Sequence, residues 1–145
     1  MVMIKIGEIK CFQPKNFALL SLDIIKQDVE VLKANWPKEY WQCVSNAILH
    51  GVNRAELIAY MPYKKELEEI IEKIDQTDFL EQRGLDPLDY YFMRPENDIE
   101  TLPYLPDNST MSNVNSFEFE IPQEDLDFVT ERVRMATEVV NAKLS

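Results

Sequence analysis

Glu8 and Lys10 lie two positions apart in the stretch Lys5-Ile6-Gly7-Glu8-Ile9-Lys10-Cys11-Phe12. The stretch reads as a β-strand, in which residues two apart share a face. Glu8 and Lys10 then project side by side, and Ile9 and Cys11 face the other way. A carboxylate is a hard oxygen ligand of the kind Mg²⁺ takes. An ammonium beside it can offset charge on a phosphate. The plain alternative is a surface ion pair worth about 0–1 kcal/mol. So apolar a strand is expected to be covered on both faces.

The elements that must hold this pair follow in order. Gln13 to Asn16 reads as a loop with Pro14 as the breaker. Phe17, Leu20 and Ile24, flanked by a second apolar stripe, give helical spacing to about residue 34. Asn35-Trp36-Pro37 is a break and a restart, with Asn35 able to cap and Pro37 suited to a first turn. Lys38 to His50 reads as a helix on the stripe Tyr40, Val44, Ala47 and Ile48, with Gly51 as its left-handed stop. Gln42, Ser45, Asn46 and Leu49 lie along one flank. Residues 55–61 form a strand closed by Pro62.

Residues 64–75 fit a helix on Leu67, Ile70, Ile71 and Ile74, or a short strand near 69–74. Residues 76–116 lack periodicity and read as an insertion-like loop region anchored by residues 88–93. Phe117-Glu118-Phe119-Glu120-Ile121 alternates as a half-buried strand. Leu126, Val129, Val133, Ala136 and Val140 recur every three or four residues, a helix expected to pack one face on the core. Its early acids, Glu124, Asp125 and Asp127, suit the positive end of the helix dipole.

The chain of 145 residues is read as one domain, 1–145, with a core at 1–75 and 117–145. An apolar fraction of 46% supports a buried core. The absence of a long apolar run or a signal-peptide pattern points to a soluble, unexported, cytoplasmic protein with no membrane partner. Cys11 and Cys43 sit among apolar neighbours and read as buried reduced thiols. With one histidine, His50, they form no metal-ligand spacing. The net charge of −11 opposes a non-specific nucleic-acid binder. Bases outnumber acids up to Lys65, however, and acids dominate from Glu66 onward, which leaves room for a polyanion site near the start.

Four pieces in this order resemble the YqaJ-like viral recombinase nucleases, the lambda-exonuclease branch of the PD-(D/E)xK superfamily. They are Glu8-Ile9-Lys10-Cys11, the helix opening Pro37-Lys38-Glu39-Tyr40-Trp41-Gln42, Gly51, and the strand from Ala55 to Pro62. The resemblance covers roughly residues 6–62, and the closing strand and helix also fit. It implies an α/β fold with a mixed central sheet flanked by helices, and metal-dependent hydrolysis of phosphodiesters at DNA ends in phage-type recombination. Carried onto this chain, it makes Glu8 and the main-chain carbonyl of Ile9 ligands of Mg²⁺ or Mn²⁺. Lys10 would orient or deprotonate the attacking water, and Gln42 would hold Lys10 or that water. Relatives form closed rings, so a homo-oligomer is compatible.

The chain departs from that pattern ahead of Glu8, where the family carries acidic ligands and Met1 to Gly7 contain none. One carboxylate is a weak trap for Mg²⁺. The domain is therefore expected to be N-terminally incomplete, a fragment or a decayed relative. A replacement acid from Asp86, Asp89 or Asp98, or from a partner chain, is the minor route. The rival reading is a non-catalytic acidic domain that binds a protein partner; the plainest is a small domain whose Glu8–Lys10 pair is structural.

Overall fold

The computed structural model describes residues 4–75, Gly84 and residues 102–145. Among them the chain is α/β, with five helices and a three-stranded mixed sheet. The order is β1 (Ile6–Cys11), α1 (Pro14–Ile25), α2 (Val29–Asn35), α3 (Pro37–Leu49), β2 (Arg54–Tyr60), α4 (Lys64–Asp75), β3 (Val114–Glu120) and α5 (Gln123–Leu144). The proposed anchor at residues 88–93 lies outside the described residues, as do Asp86, Asp89 and Asp98.

In the sheet, β2 is central. It pairs in parallel with β1 (Glu8 opposite Leu57, Lys10 opposite Ala59) and antiparallel with β3 (Leu57 opposite Phe117). Two parallel neighbours need a crossover, and α1 to α3 supply it. α1 packs on β2 and β3, and α3 packs on β1 and β2. Ala55 and Ala59 on the inner face of β2 let the helix layer approach closely. Phe17, Leu20, Ile24, Tyr40, Val44, Leu57, Phe117 and Phe119 fill the core between the layers. Asn115 ties β3 to α1 by donating to Ser21 Oγ at 3.1 Å.

Several expectations change. Among the described residues no layer packs on the outer face of β1, so the expected cover on both faces is missing: Ile9 is 62% exposed. Cys11 is exposed for the same reason, and Cys43 alone is a buried thiol. Pro14 opens α1 instead of sitting in a loop, its missing N–H falling where a helix needs no donor. The helical run to residue 34 divides at Gln27, whose φ of 53° turns the chain before Asp28 caps α2. Asn35 does not cap α3; its amide donates to Asp23 at 3.0 Å, beside the Trp36 indole N–H. Residues 69–74 are helical, within α4. Gly51 has the expected positive φ, 65°.

The largest change is in α5. Leu126 and Val129 pack against the core, but every residue from Glu131 onward is exposed. The rest of the helix carries Val133, Val140 and Leu144 on one side of its circumference, with Glu131, Arg134 and Glu138 away from them and Met135 and Val139 also exposed outside that stripe. Asp125 does not serve the helix end alone. It is buried, accepting from the Tyr40 hydroxyl and from Lys33 Nζ at 2.6 Å.

Candidate functional site

α3 runs over β1 on the inner side of the sheet edge. Two residues along a strand advance about 6.6 Å, and four along a helix about 6 Å. A helix antiparallel to the strand can therefore match both members of a Glu-x-Lys pair with two of its own residues four apart. That is the arrangement found: Gln42 stands over Lys10 and Asn46 over Glu8.

The contacts close a chain of four side chains. Lys10 Nζ lies 2.9 Å from Glu8 Oε1 and donates to Gln42 Oε1 at 2.6 Å. The other carboxylate oxygen, Glu8 Oε2, accepts from Asn46 Nδ2 at 3.2 Å. The Glu8 and Lys10 side chains retain 16% and 18% of their exposure, so the pair is half-withdrawn from water yet reachable at the sheet edge. An ammonium has three donors, and these bonds use two of the Lys10 set. A groove lined by Lys5, Gly7, Asn46 and His50, among others, opens beside the Glu8 end.

The structure thus brings Glu8, Lys10 and Gln42 together. Ile9 takes the opposite face, so its main-chain carbonyl is all it could offer the site. Asn46 was noted as a flank residue without a role; its signal was its place four residues beyond Gln42. Glu39 was missed as well. It is buried one turn before Gln42, and its charge reaches the Cys43 sulfur together with those of Glu8 and Lys10. Burial first, and then the Glu8 charge, push the Cys43 thiol up to about 12, so this cysteine is an inert packing residue and not a nucleophile.

The described residues fit a Mg²⁺ or Mn²⁺ ion poorly. Glu8 is the one carboxylate in contact with Lys10, and each of its oxygens already has a partner. Among the described residues no group of three or more His, Cys, Asp and Glu side chains gathers in a metal-binding arrangement. What the arrangement offers is a fixed cation at a sheet edge, held in place by a carboxylate and an amide.

Comparison with protein-family models, with curated proteins and with solved structures finds no match.

A second polar cluster lies at the other side of α3. Tyr40, with no exposure, donates to Asp125, and Lys33 reaches the same carboxylate while lying 5.2 Å from the Trp41 ring centroid. Burial and then the bond to Asp125 raise the Tyr40 pKa, and the Asp125 bond raises that of Lys33. All four residues are used in joining α2, α3 and α5. This cluster is structural.

Proposed function

We propose that the chain is a PD-(D/E)xK-like, lambda-exonuclease-type nuclease, or the C-terminal core of one, acting on the phosphodiester bonds of linear DNA. The observation that carries the reading is the convergence of Glu8, Lys10 and Gln42 from β1 and α3 onto one ammonium, at 2.9 and 2.6 Å. A surface ion pair has no need of a helix side chain positioned over it.

In this reading Lys10 is the working group. Glu8 and Gln42 keep its head at the sheet edge, and its remaining donor faces a phosphate oxygen, where a preset cation stabilises charge that builds during attack. Asn46 fixes the Glu8 carboxylate from behind. A divalent ion, Mg²⁺ or Mn²⁺, would supply further charge and an activated water, but needs a second carboxylate that these residues do not provide. Cleavage by this chain alone is accordingly weak.

The test is incubation of linear double-stranded DNA with micromolar protein and Mg²⁺ or Mn²⁺. Slow cleavage that disappears in Lys10→Ala supports the proposal. Equal cleavage by wild type and Lys10→Ala would refute it. No cleavage with either metal transfers the assignment to the second reading, a non-catalytic acidic domain that binds a basic protein partner. The net charge of −11 favours that alternative.

A further inference from the structure

We propose that β1 is a self-pairing edge, and that two copies of this chain join antiparallel along it to form one six-stranded sheet. β1 has a neighbour on one side only among the described residues, which leaves a row of main-chain donors and acceptors available to another strand. No proline interrupts Ile6–Cys11, and no bulge bends it out of register with β2.

The occupant is argued from charge. In an antiparallel pair, directly opposed residues lie on the same face, and opposite charges there attract while like charges repel. A two-fold axis through Ile9 sets Glu8 of one copy opposite Lys10 of the other, twice. Moving the axis to Glu8 opposes two carboxylates, and moving it to Lys10 opposes two ammoniums. The register centred on Ile9 is therefore self-complementary, as a two-fold interface must be.

It also brings the two Ile9 side chains, each 62% exposed in the single chain, against one another on the outer face. Both helix layers stay on the same side of the joined sheet, and each Glu8–Lys10 pair at 2.9 Å remains intact within its own chain. The contact is small beside the 1,200–2,000 Å² typical of stable interfaces, so association depends on concentration.

The two Glu8 residues become diagonal neighbours, about 7–8 Å apart across the seam. The pairing itself does not depend on nuclease activity.

The experiment is sedimentation equilibrium of the full chain at physiological salt, over micromolar to millimolar concentration. The weight-average mass is expected to climb from 17.0 kDa toward twice that value. Glu8→Lys alone and Lys10→Glu alone each oppose like charges and should stay monomeric, yet an equimolar mixture of the two should associate, because each supplies the sign the other needs. Ile9→Arg, on the outer face where it disturbs no packing, should weaken association at least tenfold. Circular dichroism confirms that each variant is folded. A wild type that stays at 17.0 kDa throughout overturns the proposal. So does self-association that Ile9→Arg and both charge variants leave unchanged, which would place the contact on another face.

Discussion

Replacing Asp125 by alanine should be the most damaging single polar substitution in this fold. The carboxylate is 4% exposed and accepts from two donors, the fully buried Tyr40 hydroxyl and the Lys33 ammonium. Without it the tyrosine hydroxyl has no acceptor, at a cost of about 1–3 kcal/mol. Lys33 keeps 27% of its side-chain exposure and can turn to water, so its share is about 0–1 kcal/mol. Loss of an acid from the first turn of α5 adds about 0.3–1 kcal/mol. The sum is about 1.3–5 kcal/mol, to be read as a shift in urea midpoint at unchanged slope. Tyr40→Phe should cost less, about 1–2 kcal/mol, because Asp125 keeps Lys33. An Asp125→Ala loss below about 1 kcal/mol would refute the reasoning, since the cluster would then be holding nothing together.

The same cluster sets a pH limit. Tyr40 and Lys33 both hold their protons more tightly folded than unfolded, so their contributions are complete below the ordinary values of 10.0 and 10.5. Above pH 10 the unfolded chain sheds protons that the folded one retains, and stability must fall as pH rises. Unfolding followed from pH 8 to 11 should show that decline, shallower in Tyr40→Phe; an identical alkaline limb in the two proteins would contradict it. Native protein should react with a thiol reagent at Cys11 and not at Cys43, and Cys11→Ser should abolish the native reaction. Gly51→Ala should lose about 1–2 kcal/mol through backbone strain at φ 65°, since an added methyl there meets no neighbour within 4 Å. Truncation after Ala136 should change the unfolding free energy by less than about 1 kcal/mol, because the removed turns are exposed.

The strands and helices nearest the site were legible because their signals are local. Alternation in Ile6–Cys11, the Pro37 start and the Gly51 stop of α3 depend on neighbours within a few residues, and the side-by-side placement of Glu8 and Lys10 follows from strand geometry alone. That Gln42 faces them was a wager on how one layer sits over another. Local pattern does not contain that information, and the resemblance supplied it.

The failures have the same root. The burial of β1 was misjudged because whether a second layer covers the outer face of a sheet is a property of the assembled fold and not of six residues. Asp125 read as a dipole residue because its partners, Tyr40 and Lys33, lie 85 and 92 positions away in sequence. The apolar rhythm of α5 was real, yet rhythm reports which residues share a side and not whether anything lies against them. Pro14 was read as a stop although proline both ends and begins helices, and only the following turn decides between the two.

The uncovered flank of α5 has a practical outcome. With Val133, Val140 and Leu144 bare to solvent, mutual repulsion at a net charge of −11 opposes contact between copies through this flank. Acidifying a preparation toward the isoelectric point near 4.5 removes that protection, and so does concentrated salt, which shortens the reach of charge to about 3 Å at 1 M. Turbidity should therefore appear under both treatments while the fold is still intact, and charged substitutions along that flank should clear it.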